Sequence, residues 1–438
     1  MRIETVLLEN YRAHENLLVG FQSGFNLVVG VNGSGKTSLL KGVCEALSGF
    51  TNDVPNIHGY RTLAEQDIAF LRMESVNGRL RFEPQFPIEV HAAGSAFGLS
   101  CDWRVWKSSS LEHYRADGIF PGRLTGMAPD EPAIGPFAKQ TVAWPLVAFY
   151  RASRQWNGAK PSEMQAATEK ISRTSAYASW WDASLDSSAF QGWVISKCLE
   201  RFQTSSETGI PFDDIHDDEL ALVSAALAEA VDGFRGMKYD LKQKSLLIDW
   251  QASAMEMRSS IGFENLSDGQ RAVICLVADI ARRMCILNPI LGQDVIAKTP
   301  GVVLIDELDM HLHPRWQRIL TTGLKRAFPS VQFIAASHSP QVIGELHPDE
   351  IILLRKGETS HPQVSYGLTS SQILEEIMGA EARSVEVEER LERLFEALER
   401  NEFEFAREII EGLKNDVPGI PELAGAEALL RRKQVLGR

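Results

Sequence analysis

The chain has 438 residues, 44% of them hydrophobic and 24% charged, and a formal net charge of -13. That length predicts two or three compact units with a large core. The acidic balance excludes a surface generally coated for nucleic acid, since phosphate binding needs Lys and Arg to displace counterions. Three local basic groups are left as candidate DNA contacts, each of which also reads as an ordinary solvated face: Arg72, Arg79 and Arg81; Arg151, Arg154 and Lys160; and Arg431, Arg432 and Lys433. The start Met1-Arg2-Ile3-Glu4 is charged where a signal peptide needs an apolar run, and no stretch approaches the roughly 20 apolar residues of a membrane span. The expectation is a cytoplasmic protein with no membrane contact. Cys44, Cys101, Cys198, Cys275 and Cys285 form no CxxC pair, so they read as reduced packing residues rather than as a disulfide framework or a zinc site.

In chain order, Ile3, Val6 and Leu8 form an extended apolar run, and residues 25–29 lead into Gly30-Val31-Asn32-Gly33-Ser34-Gly35-Lys36-Thr37. Residues 38–47 then read as a helix. Strand, glycine loop and helix in that order are the context of a phosphate-binding P-loop, because the helix start aims free N–H groups and a positive dipole end at an anion. Residues 51–138 alternate short strands and loops, predicting a β-rich arm. Residues 141–150 read as a buried strand, and 160–230 favour helix with Trp180, Trp181, Trp193 and Phe202 as apolar anchors. Alternation over 237–261 predicts a hairpin. A helix over 269–287, a strand over 301–305, a helix over 315–328 and a strand over 331–336 complete a largely parallel sheet. A charged helical tail follows residue 370, with amphipathic helices over 387–399 and 402–413.

These elements place a nucleotide site. Gly33 and Gly35 let backbone amides approach phosphate, with Asn32, Ser34 and Ser38 completing the loop; Lys36 reaches the β- and γ-oxygens and the Thr37 hydroxyl meets magnesium. Asp306, at the carboxyl end of a buried strand, would hold the metal, while Glu307 would polarise the attacking water. His338 follows the next strand, where an imidazole can sense the γ-phosphate. Leu266-Ser267-Asp268-Gly269-Gln270 opens a helix whose Ser267, Gly269 and Gln270 would grip a γ-phosphate from the opposite side. If two copies face each other, Lys36 of one and Ser267 of the other converge on one ATP.

With these residues in place the chain resembles an ABC-type ATPase of the RecF, Rad50 and SMC group, in the first fifty residues and from Leu266 to about Leu354. The stretch Glu9-Asn10-Tyr11-Arg12-Ala13-His14-Glu15-Asn16 is similar to that group's opening strand and turn, which implies that Arg12 lies near the nucleotide. Asp306-Glu307-Leu308-Asp309-Met310-His311-Leu312-His313-Pro314-Arg315-Trp316-Gln317 resembles the extended Walker B and D-loop of the Septu ATPase branch (PtuA-like), which also occurs beside retrons. The resemblance makes His311 and His313 D-loop and packing residues rather than metal ligands. Residues 145–154 are similar to a second segment of that branch, with Arg151-Ala152 where its members often carry Gly-Thr.

The implied fold is an α/β ABC-type P-loop head, a mixed and parallel sheet covered by helices, with a β-rich arm, a helical insertion and a C-terminal helical hairpin. The expected divisions are 1–155, 156–235, 236–370 and 371–438, the last either a docking platform or a cap on the core. The resemblance implies ATP and Mg²⁺, a head-to-head dimer or higher even oligomer, and antiviral defence alongside a separate HNH-type nuclease. A retron reverse transcriptase with its DNA or RNA is a further implied partner. No coiled-coil heptads, Toprim domain or nuclease motif stand in the chain, so any DNA cutting falls to that partner. The acidic run Asp213, Asp214, His216, Asp217, Asp218, Glu219 reads as a solvated loop. A RecF-like repair ATPase acting as a DNA clamp is the alternative, and a membrane-transporter ATPase fits least.

Overall fold

Four short runs, Phe25–Val29, Leu146–Tyr150, Gly301–Ile305 and Val331–Ala336, are buried at every residue. Strands covered on both faces read as continuous apolar stretches. In the computed structural model, which describes residues 1–51, 68–76, 79–118, 142–152, 166, 168, 171–251, 259–355, 357–380, 384–417 and 419–436, they build a six-stranded sheet. Its order is Glu358–Ser360, Ile351–Arg355, Phe25–Val29, Val331–Ala336, Gly301–Ile305, Leu146–Tyr150. All neighbours are parallel except the first pair. The carboxyl ends of the strands at 25–29, 301–305 and 331–336 therefore emerge together, carrying the P-loop, Asp306-Glu307 and His338.

A second, antiparallel sheet is ordered His14–Gly20, Arg2–Tyr11, Ile88–Ala96, Leu99–Lys107, Arg115–Gly118. Part of the β-rich segment thus joins the N-terminal strand, while Leu71–Val76 and Arg79–Pro84 form a separate two-stranded sheet. The strand at 14–20 is absent from the sequence reading, although Leu17 and Val19 alternate inward as a half-buried strand requires. Helix Lys36–Thr51 lies between the two sheets, which is why it runs past both ends of the expected 38–47 and buries most of its length. Leu8 packs so closely that a Cβ on Gly42 would come within 2.6 Å of its Cδ2. The Trp103 indole donates to the Ala46 carbonyl at 2.9 Å.

The strand expected from residue 141 begins only at Leu146. Pro145 has no N–H for a ladder, and Asn288 takes the backbone bonds of Trp144 instead, accepting from its N–H at 2.7 Å and donating to its carbonyl at 2.9 Å. The helical segment contains Ser187–Thr208 and Glu219–Ala230. Trp180 and Trp193 are buried there, but Phe202 is 40% exposed, its ring tilted 4.5 Å from that of Phe212 on the outer side. Asp218 is not merely solvated: it caps the helix at 219–230 through Ala221 N–H and pairs with Arg201. The hairpin gains a third strand, giving Phe234–Asp240, Ser245–Trp250 and Ser259–Gly262.

Helix Asp268–Leu287 is fixed by a buried ionic knot. The Asp279 carboxylate accepts from Arg282 at 2.7 Å, Arg283 at 2.6 Å and the Tyr150 hydroxyl at 2.9 Å. The two guanidinium groups outweigh burial and hold the carboxyl below its ordinary pKa. Burial pushes the Tyr150 phenol well up, and the facing carboxylate adds to it. Since Asp306 N–H donates to the Tyr150 carbonyl at 2.8 Å, this knot ties helix Asp268–Leu287 to the end of strand Gly301–Ile305.

The chain separates into two compact units, Met1–Leu368 and Thr369–Arg438. In the second, Leu391, Leu394, Leu398, Ala406, Ile410 and Leu413 form the core of three helices, Val385–Glu399, Phe403–Asp416 and Pro421–Leu436. The third helix is additional to the expected hairpin. All five cysteines are free and buried. Among the described residues no helix is long and apolar enough to cross a membrane, and no three His, Cys, Asp or Glu gather as a metal site.

Candidate functional site

The glycines of the loop are set by backbone conformation. Gly33 and Gly35 have φ of +82° and +97°, values that side chains resist. Lys36 is 8% exposed and donates to the carbonyls of Gly30 at 2.9 Å and Val31 at 3.2 Å. Burial lowers its ammonium pKa, while Asp306, Glu307 and Asp309 act in the opposite direction.

The Thr37 hydroxyl donates to Asp306 Oδ2 at 2.9 Å. Two hard oxygen donors side by side, one at the start of a helix and one past the end of a strand, suit a small divalent cation such as Mg²⁺, which takes one or two protein oxygens beside phosphate and water. Asp306 is buried, whereas Glu307 is exposed and holds φ of +46°, a left-handed turn that brings it into the same opening. Asn32, Gly33, Gly35, Lys36, Thr37 and Ser38 line a cavity of about 470 Å³ with Ala13, Asp306, Glu307, Ala336, Ser337 and His338. Burial and then the Lys36 charge lower the His338 pKa, against Asp309, Glu307 and Asp306. The imidazole is therefore held toward its neutral form, able to donate from one nitrogen and accept at the other.

Three predicted residues stand elsewhere on the chain. Ser267, exposed, caps helix Asp268–Leu287: its hydroxyl accepts from Gln270 N–H at 3.3 Å, and its own N–H donates to Gln270 Oε1 at 3.0 Å. Gly269 is buried, and a Cβ there would come within 2.6 Å of the His311 carbonyl oxygen. None of the three lines the P-loop cavity. Arg12 does not line it either; its N–H donates to Ile68 O at 2.7 Å with φ of +52°, and Ala13 supplies the wall. Ser34 is half-buried, and its buried hydroxyl has no hydrogen-bond partner.

Side chains the sequence reading gave no role complete the site. Asp309 accepts from the Ser337 hydroxyl at 2.5 Å and from His338 N–H at 3.4 Å. Gln317 donates to Leu312 O at 2.9 Å and accepts from Ser339 at 2.7 Å. They lie inside the quoted D-loop run, so the signal was present but its partners, one strand away, were not visible. Of the basic groups, Arg72 pairs with Glu15, Arg151 donates to Trp181 O at 3.0 Å, and Lys433 donates to Leu398 O at 2.8 Å. Arg154 and Lys160 lie outside the described residues.

Two family patterns match, "AAA domain" over residues 5–86 and "AAA domain, putative AbiEii toxin, Type IV TA system" over 255–344. They bracket the two motif sets. The chain is 24% identical over 443 aligned positions to the "Retron Vc95 probable ATPase" of Vibrio cholerae serotype O1 biovar El Tor, covering 89% of this chain and 82% of that protein. It is 30% identical to the "Septu protein PtuA" of Bacillus thuringiensis over 41% of this chain and 51% of that one. A 47-residue match to the "DNA double-strand break repair Rad50 ATPase" of Pyrococcus abyssi (strain GE5 / Orsay) is 49% identical and covers 11% of this chain and 5% of that protein. These likenesses support an ABC-type ATPase of the RecF, Rad50 and SMC group. Within it, loop residues from Asn32 to Ser38, Asp306, Glu307 and His338 share one opening, and Ser267, Gly269 and Gln270 are not among the residues that line it. The chain spans about half the length of the Bacillus relative and far less of the Pyrococcus one.

Proposed function

We propose that this ATPase works as the nucleotide-binding subunit of an antiphage defence assembly in the cytoplasm, forming head-to-head pairs, or higher even oligomers, around ATP and gating a separate HNH-type nuclease. Lys36 would neutralise the β- and γ-phosphates and the loop amides would cradle them. Thr37 and Asp306 would hold Mg²⁺, whose chemistry there is to neutralise phosphate charge. Glu307 would orient the attacking water, and His338 would report the γ-phosphate. Ser267, Gly269 and Gln270 of a second copy would close the site, with Arg12 near its rim. The observation that carries this reading is the division of the chain: Lys36, Thr37, Asp306, Glu307 and His338 share one cavity, and Ser267 stands outside it, exposed at a helix start. A pocket half-built from its own chain is what a two-copy ATP clamp requires.

The nuclease, and a retron reverse transcriptase with its DNA or RNA, are drawn from the likeness to retron and Septu proteins, and the three-helix unit at 369–438 is the proposed docking platform. Co-purification with products of neighbouring genes tests the assembly; a chain that captures no nuclease and never self-associates with ATP contradicts it. The second reading is a DNA clamp of the RecF kind, favoured by the Rad50 match. Salt-sensitive DNA binding by the chain alone would support that reading instead.

A further inference from the structure

We propose that His14 is a positioning residue for the nucleotide loop, holding the Gly35–Lys36 peptide with its amide toward the phosphates; this rests on the nucleotide reading above. His14 opens the strand His14–Gly20 and is 1% exposed. Its Nε2 lies 3.0 Å from the Gly35 carbonyl oxygen. Because that oxygen only accepts, Nε2 must carry the hydrogen, which fixes the tautomer. Nδ1 is buried with no hydrogen-bond partner, and burial lowers the pKa of the ring, so the neutral donor form is favoured.

The same oxygen accepts the Leu39 N–H at 2.8 Å, so both of its lone pairs are engaged. A trans peptide is planar, and its carbonyl and amide point in opposite directions. Anchoring the Gly35 oxygen on the buried side therefore turns the Lys36 N–H away from His14. Gly35 and Lys36 both line the cavity. The ring also walls the turn: a Cβ on Gly35 would come within 2.4 Å of His14 Cε1 and 2.6 Å of its Nε2. His14 thus acts through the loop rather than on the nucleotide.

The test is calorimetric ATP binding by the full chain, comparing wild type with His14→Gln, which keeps an N–H at similar reach, and with His14→Leu and His14→Asn, which remove or shorten it. Lys36→Ala is the control. Loss of a hydrogen bond that orients a phosphate-binding amide should weaken ATP about tenfold in the Leu and Asn variants, with Gln within about threefold of wild type. The ligand-free thermal midpoints of Gln and Asn should agree. If Leu fails to fold, the Gln and Asn pair carries the comparison. Equal affinity for Gln and Asn overturns the role of His14 when Lys36→Ala loses binding; undiminished binding by Lys36→Ala overturns the nucleotide reading itself.

Discussion

The P-loop cavity and the helix start at Ser267 are built by opposite means. Around the cavity, three parallel strands end side by side, and polar groups meet others remote in sequence, as Thr37 meets Asp306 and Ser337 meets Asp309. At the signature the bonds are local: Ser267 and Gln270 satisfy each other in a capping box three residues wide. The first region is held by pairings between distant residues, whereas the second satisfies its own polar groups and leaves Ser267 exposed. A surface that needs nothing further to fold is free to serve another molecule.

The contrast can be broken from either side. Lys36→Ala should weaken ATP by at least about 100-fold, because it removes charge-assisted bonds from a buried position, while leaving the fold intact; calorimetry on a variant with an unchanged far-UV spectrum checks it. Glu307→Gln should keep ATP affinity yet lower turnover by about 10² to 10⁴, measured as phosphate release. Equal turnover would remove Glu307 from its role. At the helix start, Ser267→Arg should leave the nucleotide affinity of a single copy unchanged but abolish ATP-dependent association, seen by sedimentation. The milder Ser267→Ala should cost about 1 kcal/mol of stability as a lost N-cap.

A smaller effect concerns pH. His14 and His338 both have pKa values depressed below 6.5, so the unfolded chain binds more protons in that window. Their contribution to stability is present above about pH 6.5 and is lost as pH falls through the folded values. The urea midpoint should drop on acidification, and His14→Gln should flatten that slope; an unchanged slope would exclude His14 as its source.

Much of this was legible in the residues. The P-loop, the acidic pair after Val302-Val303-Leu304-Ile305 and the strand before His338 each combine a motif with its required flanking element, and local order suffices to place them. What escaped depends on how elements pair, near and far. Strand 14–20 pairs with the N-terminal strand across a tight turn, residues 88–107 join that same sheet, and Pro145 with Asn288 delays the strand at 146. The partners of Asp309 and Gln317, and the contact of His14 with Gly35, lie across strand or hairpin boundaries that no local periodicity reveals. The third tail helix was obscured because Pro421–Leu436 shows weak amphipathic patterning beside its two neighbours.

The most direct test of a clamp shared by two copies is the solution mass of Glu307→Gln, measured by sedimentation with and without ATP and Mg²⁺. The account predicts a shift to an even-numbered assembly with nucleotide that Ser267→Arg prevents. A mass that stays the same on adding saturating ATP would contradict it.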